Sequence, residues 1–462
     1  MSRIGILPLG RPTFDVSFAE ACLARMLEAL DRSGHEIVGP RELLFDAAQA
    51  RRAVEALKSE DAEQILILQV TFTDASMTVE IAAQFDRPLS VWAIPEPRIG
   101  GRLRLNSFCG LNLAGHALGR NGRPFSYLYA APDAPGIGEG LDELLAGRRL
   151  ARPVPLRRVE RRQGPAADAV AGLRGARIGR IGLPPDGFDT CLYDAAQLAA
   201  LAGVSVEDVG LETLFSGARS APGAAVAAIR DQAARITGSL DAVNQDELDR
   251  SLRLKAAIED LKAKGGYDAF AIRCWPEAFT EYGGAVCGPV SMMGEARVPC
   301  ACEADVYGAL TTLLLQRIAG EPAFLADLVD LDEDDDTGVV WHCGQAPPSM
   351  ADPDVKIEAT IHTNRKMPLL FEFPLKPGRV TFFRISQARG ETFAVIGGGE
   401  MLKRPMSFTG TSGVVRFDSG SKTVLERVMG AALEHHMALV YGDHRDALAQ
   451  SAGALGIPVL DL

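Results

Sequence analysis

Short apolar segments that alternate with amphipathic helical segments constrain the fold of this chain more than any other feature. In the first third, RIGILPL is followed by FAEACLARMLEALDRSG, whose apolar residues recur at helical spacing up to a glycine. HEIVGP, ARRAVEALKSEDA and EQILILQVTF then repeat the order of strand and helix. This alternation predicts βαβ units and a parallel sheet.

A second alternating series begins at RIGRIGLP (residues 177 to 184) and continues through DAFAIRCWPE, VPCACEAD and the helical VYGALTTLLLQRIAG. The segment between the two series, residues 143 to 172, loses the pattern and gathers Arg, Pro and Gly, as a connector does. We therefore predict two Rossmann-like α/β domains with parallel sheets, residues 1–165 and residues 166–345.

The character of the chain changes after about residue 345. Segments such as VKIEATIHT and LLFEFPLKPGRVTFFRIS alternate polar and apolar residues, which indicates antiparallel strands. KTVLERVMGAALEHHMALVYG, residues 422 to 442, has a helical pattern. The predicted third domain, residues 346–462, is accordingly β-rich, antiparallel and barrel-like, and the fold class is α/β.

Composition narrows the class of protein. Hydrophobic residues make up 47% of the chain and charged residues 23%, which is usual for a soluble globular protein. The formal net charge is −12 and no basic stripe occurs, so we do not expect a nucleic-acid partner. The N-terminus lacks the apolar core of a signal peptide, and no run of about 18 apolar residues occurs. We expect a cytoplasmic protein with no membrane partner.

Two common kinds of site are not predicted. The eight cysteines include no CxxC motif, and the Cys300-Ala-Cys302 pair has no second pair at zinc-site spacing, so we expect free, buried thiols. Neither a Walker sequence nor a G-x-G-x-x-G fingerprint is present. Nucleotide cofactors are therefore not implied.

Carboxylates follow two predicted strands of the second series. Glu277 follows AFAIRCW, and Glu303 and Asp305 follow VPCAC. Because ligands bind at the carboxyl ends of parallel strands, Glu277 and Asp305 could meet at one rim. Converging carboxylates repel one another unless a proton or a metal ion lies between them. Alternatively, each acid caps the helix that follows it.

Among the seven histidines, the informative ones are His342 in VVWHCG and the group His435, His436 and His444 in EHHMALVYGDHRD. A single histidine is more often structural than a metal ligand. Carboxylates combined with an imidazole, however, suit a divalent ion such as Mn²⁺ or Mg²⁺, whereas thiolates suit Zn²⁺.

Four motifs in order, RCWPE (273–277), ACEAD (301–305), WHCG (341–344) and HHMALVYGDHRDAL (435–448), resemble the L-fucose isomerase and L-arabinose isomerase superfamily. Within it the chain is most similar to the shorter fucose-isomerase-like proteins. The resemblance implies a metal-dependent aldose–ketose isomerase that works through a cis-enediol. It also implies Mn²⁺ as cofactor, with Mg²⁺ or Co²⁺ as alternatives, and a homo-oligomer, either a trimer or a hexamer.

The resemblance to L-fucose isomerase implies Glu277, Asp305 and His436 as metal ligands, with Glu281 as the alternative to Glu277. Glu277 and Asp305 would also transfer the proton. Trp275, Glu303 and His342 would bind the substrate.

The ligand pattern of L-arabinose isomerase instead matches Glu303, approximately Asp327, and His342. This chain thus contains candidates for both ligand patterns, and the sequence leaves the choice open.

The substrate is expected to be an open-chain pentose, deoxyhexose or derivatised hexose. Arg180, Arg273, Arg365 and Lys366 are candidates to meet an anionic group on it, although each could equally be a surface cation. The alternative function is a non-catalytic sugar-binding or sensor protein with the same fold. The presence of Glu277, Asp305 and His436 argues for the enzyme, because a binding protein needs no proton transfer.

Overall fold

Five parallel strands form the first sheet of the computed structural model, which describes residues 2–462. Their order is β2-β1-β3-β4-β5, and β3 and β4 are buried along their whole length, as the continuous apolar runs predict. The elements are β1 (Arg3–Leu9), α1 (Val16–Asp31), β2 (Glu36–Val38), α2 (Ala47–Ser59), β3 (Gln64–Gln69), α3 (Ser76–Gln84), β4 (Leu89–Ala93), α4 (Ser107–Arg120), β5 (Ser126–Tyr129) and α5 (Ile137–Leu145).

The second sheet has four parallel strands in the order β7-β6-β8-β9. Its elements are α6 (Pro165–Ala171), β6 (Arg177–Ile181), α7 (Ala195–Ala202), β7 (Ser205–Val209), α8 (Leu211–Arg219), α9 (Gly223–Ile236), α10 (Gln245–Gly265), β8 (Ala269–Ile272), α11 (Cys287–Glu295), β9 (Cys300–Cys302) and α12 (Val306–Ala319). Among residues 2–462, none of the helices combines the length and the apolar character that crossing a membrane requires.

The third sheet is mixed and has nine strands. Its elements are β10 (Phe324–Asp332), β11 (Thr337–His342), β12 (Glu358–Thr360), β13 (Leu370–Pro374), β14 (Gly378–Ser386), β15 (Phe393–Met401), β16 (Thr411–Phe417), α13 (Ser421–Ala431), β17 (His436–Tyr441), α14 (Arg445–Leu455) and β18 (Val459–Asp461). Because β16 pairs with both β11 and β15, six of the strands form a closed ring. The α/β class with two parallel sheets and a β-rich C-terminal region is confirmed.

Strands β10 and β11 belong to this third sheet, although they precede residue 345. The predicted second domain therefore contains two strands that pair with the C-terminal region. The limits 1–165, 166–345 and 346–462 stay predictions of folding units.

The stretch predicted to be helical from residue 422 to residue 442 contains a helix and a strand. Helix α13 ends at Ala431, and Ala432 adopts a left-handed conformation with φ of 54° that reverses the chain. Helix α4 holds this turn, because Asn112 Nδ2 donates to the Leu433 carbonyl at 2.7 Å and His116 Nδ1 donates to the Ala432 carbonyl at 2.9 Å. The turn starts β17 at His436.

Candidate active site

One pocket collects residues that follow the carboxyl ends of strands in both parallel sheets. Arg11 follows β1, Phe72 follows β3, Trp275 follows β8 and Glu303 follows β9. The third sheet contributes further residues, including Asp327. The empty space, including its mouth and the solvent there, is about 830 Å³. The pocket therefore lies at the ends of β8 and β9, the strand ends that the strand-end rule selects from the sequence.

Glu303 enters this pocket from a strained stretch of backbone. Glu303 and Ala304 both have φ of 57°, a left-handed conformation that costs residues other than glycine about 1–3 kcal/mol each. The Trp275 indole Nε1 and His435 Nε2 each donate to the Glu303 carboxylate at 2.9 Å. Burial raises the pKa of Glu303, but the hydrogen bond and charge of His435, the charge of His436 and the Trp275 bond outweigh burial and lower it to about 2.

Asp305, two residues later, lies outside the pocket and is 1% exposed. Four hydrogen bonds reach its two oxygens. Oδ1 accepts from the Gly308 amide at 2.7 Å and from Arg384 Nη2 at 3.2 Å, and Oδ2 accepts from Arg384 Nη1 at 2.6 Å and from His436 Nδ1 at 2.9 Å. A carboxylate has about four acceptor positions, so all are in use.

The contacts of Asp305 combine two of the sequence interpretations. It caps helix α12 and it contacts His436. Burial raises its pKa, but the charge of Arg384 and the bonds from His436 and Arg384 prevail, and the pKa lies below its usual value. The metal-ligand role of Asp305 stays a prediction, one that this geometry does not favour.

Asp327, His342 and His436 meet where three strands of the third sheet pair. Asp327 on β10 lies opposite His436 on β17 and opposite Trp341 on β11, next to His342. One ligand atom from each of Asp327, His342 and His436 can be chosen so that all three lie within 4.8 Å of one another. His436 Nε2 lies 3.6 Å from Asp327 Oδ1 and 3.7 Å from Glu303 Oε2. Asp327 Oδ1, His342 Nε2 and His436 Nε2 are buried without a hydrogen-bond partner in the described structure.

The hydrogen bonds of the two imidazoles distinguish their roles. In the neutral ring, His436 donates through Nδ1 to Asp305, and the lone pair of Nε2 faces Glu303 and Asp327. His342 Nδ1 instead accepts from the Cys343 amide at 2.9 Å, so its Nε2 carries the proton in the neutral ring. His436 is thus equipped to bind a cation and His342 to donate a hydrogen bond.

Carboxylates outnumber arginines in this region. Glu303, Asp305, Asp327 and Glu434 place four buried or mostly buried carboxylates near one another, and Arg384 is the guanidinium that contacts two of them. Burying carboxylates together is costly unless cations or protons compensate them. The unpartnered Asp327 Oδ1 and His436 Nε2 show where a further cation would fit.

A second group of potential ligands consists of Cys191, Glu303, His435 and His436. Burial, followed by the charges of Asp305 and Glu303, raises the pKa of Cys191 well above its ordinary value. A thiol ligand suits Zn²⁺, whereas carboxylates and an imidazole suit Mn²⁺ or Mg²⁺. All eight cysteines are free thiols.

Glu277 lies away from this cluster. Its carboxylate accepts from Arg273 Nε at 2.6 Å and Nη2 at 2.7 Å, and it does not line the pocket. The hydrogen bond from Arg273 lowers the pKa of Glu277. Glu281, the alternative, is exposed. The structure does not bring either residue together with His436, so their ligand roles stay predictions without geometric support.

Two arginines lie against the Trp275 ring in the same pocket. The guanidinium carbons of Arg11 and Arg365 are 5.0 Å and 5.3 Å from the ring centroid. Arg11 has a carboxylate partner in Asp74 at 3.6 Å. Burial and the charge of Arg11 lower the pKa of Arg365, and no carboxylate among residues 2–462 pairs with Arg365.

The other cations proposed from the sequence lie elsewhere. Arg180 pairs with Asp208, Arg273 pairs with Glu277, and Lys366 is exposed. Sequence reasoning missed Arg11, Arg384 and Glu434. A signal for Arg384 existed, because it interrupts the apolar residues Phe382, Phe383 and Ile385 in a predicted strand.

Comparison with known proteins gives two matching family models. The model for the fucose/sulfoquinovose isomerase N-terminal domain matches residues 5–154, and the model for the L-fucose isomerase C-terminal domain matches residues 340–462. Three curated relatives are each named sulfoquinovose isomerase. The protein from Clostridium sp. (strain MSTE9) is 30% identical over 458 residues, which are 98% of this chain and 97% of that protein.

The relatives from Priestia megaterium (strain ATCC 12872 / QMB1551) and Alkalicoccus urumqiensis are each 29% identical. The first aligns over 98% of this chain and 97% of its own length, and the second over 100% of both. A solved ABC transporter solute binding protein from Agrobacterium vitis covers 70% of this chain and 90% of its own at 11% identity and a TM-score of 0.19, a likeness too low to support an argument.

Proposed function

Because this chain belongs to the fucose/sulfoquinovose isomerase family of sugar isomerases, we propose that it is a metal-dependent aldose–ketose isomerase. Its proposed substrate is an aldose with an anionic group on C6, and sulfoquinovose, a glucose with a sulfonate in place of the C6 hydroxyl, is the first candidate. The observation that carries this proposal is one pocket with arginines beside Trp275 and an acid–histidine cluster beyond it.

The anionic end of the substrate is assigned to Arg11 and Arg365. A guanidinium offers several N–H donors in one plane and suits oxyanions that accept more than one hydrogen bond. Arg365 is partly buried, has no carboxylate partner in residues 2–462 and lies close enough to Arg11 for the two charges to repel. A sulfonate between them would relieve that repulsion, whereas a neutral hydroxymethyl group would not.

The reacting end is assigned to the cluster beyond Trp275. Glu303, Asp327 and His436 would hold a divalent ion, because Glu303 Oε2 and Asp327 Oδ1 lie 3.7 Å and 3.6 Å from His436 Nε2, and carboxylate oxygens combined with an imidazole suit Mn²⁺. Such an ion supplies Lewis-acid stabilisation of charge on O1 and O2 of the open-chain sugar. The unpartnered buried atoms Asp327 Oδ1 and His436 Nε2 support the fit.

The proton transfer is assigned to one of the two pocket carboxylates, Glu303 or Asp327. That carboxylate removes the proton from C2 of the aldose and returns it to C1, while a proton moves from O2 to O1. Glu303 is ionised at neutral pH, because its pKa lies near 2. Asp327 has an oxygen without a partner. His342 Nε2–H would donate to a substrate oxygen, and Trp275 would form the wall between the two ends.

The proposal is tested by following the conversion of sulfoquinovose, glucose, L-fucose and L-arabinose by NMR. The protein is first treated with EDTA and then supplied with Mn²⁺, Mg²⁺ or Co²⁺. We expect sulfoquinovose to give its 2-ketose, the activity to disappear with EDTA, and Mn²⁺ to restore it. Full turnover after metal removal, or a preference for the neutral sugars, would contradict the proposal.

A further inference from the structure

Two adjacent histidines face two acids that are separated by one residue. His435 Nε2 lies 2.9 Å from Glu303 Oε2, and His436 Nδ1 lies 2.9 Å from Asp305 Oδ2. The two imidazoles therefore bond to their carboxylates through different nitrogens. The ring centroids are 3.9 Å apart, so the pair forms one packed unit.

Besides its hydrogen bond with His436, Asp305 makes three further hydrogen bonds. Arg384 binds both of its oxygens, and the Gly308 amide of helix α12 binds one of them. Asp305 and Arg384 are each 1% exposed. A buried arginine–carboxylate pair gains little net stability over apolar residues of similar volume, so its presence calls for a reason other than stability.

Arg384 is itself held from its other side. Its Nε lies 3.9 Å from Glu434, whose carboxylate accepts from Ser386 Oγ and from the Gln387 amide, both at 2.8 Å. Glu434 immediately precedes the two histidines. A continuous line of buried charges thus runs from Glu434 through Arg384 and Asp305 to His436.

We infer that Asp305 and Arg384 are positioning residues that fix His436 as the Nδ1–H tautomer, so that its Nε2 lone pair faces Glu303 and Asp327. This inference rests on the proposed function, in which His436 Nε2 binds the metal ion. Asp305 sets the tautomer by accepting a hydrogen bond from Nδ1–H, and Arg384 holds the Asp305 carboxylate in place through contacts with both of its oxygens. Carboxylates that orient metal-binding histidines act in this way in other proteins, and their loss typically weakens metal affinity about 10–100-fold.

The tautomer is measured directly on metal-free protein labelled with ¹⁵N-histidine. We expect the His436 ring in the wild type to carry its proton on Nδ1, whereas a neutral His435 ring carries it on Nε2. In Asp305→Asn we expect His436 to lose this preference. A wild-type His436 ring with its neutral proton on Nε2 would overturn the inference, whatever the variants do.

The functional consequence is measured by titrating Mn²⁺ into metal-free protein by calorimetry. Asp305→Asn should weaken Mn²⁺ binding about 10–100-fold, and Arg384→Lys, which keeps the charge but loses the two-point contact, should weaken it less. Asp330→Asn is the matched control, because Asp330 is also buried and paired with an arginine, Arg98, but does not contact His436.

The outcomes separate the inference from the proposed function. A wild type that binds no Mn²⁺ contradicts the proposed function, while the tautomer measurement still decides the role of Asp305. Unchanged Mn²⁺ affinity in both Asp305→Asn and Arg384→Lys, or an equal loss in Asp330→Asn, would overturn the positioning role. Circular dichroism is used to check that each variant is folded. If Asp305→Asn does not fold, the affinity of Arg384→Lys decides the positioning role.

Discussion

Glu303 and Asp305 have different surroundings although only Ala304 separates them. The left-handed backbone at Glu303 and Ala304 turns the first carboxylate into the pocket, and the second one caps helix α12. A pattern of residue types cannot express this difference, because it arises from two φ angles and from Arg384, which lies 79 residues away in the chain. The sequence could point to this strand end but could not say which acid lines the pocket.

The role of Arg365 is tested by its replacement with methionine. If Arg365 binds the anionic end of the substrate, loss of its charged hydrogen bonds should raise KM for sulfoquinovose by about 10–100-fold, which corresponds to about 1.5–3 kcal/mol. The kinetics of any neutral aldose should change little. The measurement is a comparison of KM and kcat for both sugars.

Arg180→Met provides the control, because Arg180 pairs with Asp208 and does not line the pocket. We expect its KM for sulfoquinovose to equal that of the wild type. Equal KM values for Arg365→Met and the wild type would contradict the assignment of the anionic end.

At the scale of elements, the periodicity of the sequence predicted the parallel sheets well. Strands of a parallel sheet are buried on both faces, as β3 is, so they appear in the sequence as continuous apolar runs such as EQILILQVTF. The secondary structure of residues 422 to 442 was harder to predict, because ALEHHMALVY keeps helical spacing beyond the point where α13 ends. Contacts from α4 with Ala432 and Leu433 end the helix, and these contacts lie more than 300 residues apart in the chain.

Gly308, in the first turn of helix α12, leaves room for the Asp305 carboxylate, and its replacement tests whether this close approach is needed. A Cβ atom at Gly308 would lie 2.6 Å from Asp305 Oδ2 and 2.9 Å from Leu325 Cδ2. Helix propensity favours alanine over glycine by about 1 kcal/mol, but the clash displaces the carboxylate. We therefore expect Gly308→Ala to lower the free energy of unfolding and to weaken Mn²⁺ binding, measured by thermal unfolding and calorimetry.

Gly138→Ala in helix α5 is the matched control, since no atom lies within 4 Å of a Cβ at that exposed position. There we expect stability to stay the same or to rise by up to about 1 kcal/mol. A Gly308→Ala protein with wild-type stability and wild-type Mn²⁺ affinity would show that the position of Asp305 is not critical.

At the scale of the whole molecule, the site depends on the meeting of three sheets. The first sheet contributes Arg11, the second contributes Trp275 and Glu303, and the third contributes Asp327 and His436. The four motifs and their order along the chain indicated the family, because they consist of characteristic residue types near the ends of strands. The pairing of β10 with β17, which brings Asp327 opposite His436, had no signal in a single sequence. The trimeric or hexameric assembly and the cytoplasmic location stay predictions.

Glu303, Asp327 and His436 are proposed to hold a divalent ion at the reacting end of the pocket. Diffraction at the manganese absorption edge from crystals soaked in Mn²⁺ would locate that ion. We expect one strong anomalous peak bonded to the carboxylates of Glu303 and Asp327 and to His436 Nε2. A peak bonded to Asp305 or Glu277, or no peak between Glu303 and Asp327, would contradict the proposal.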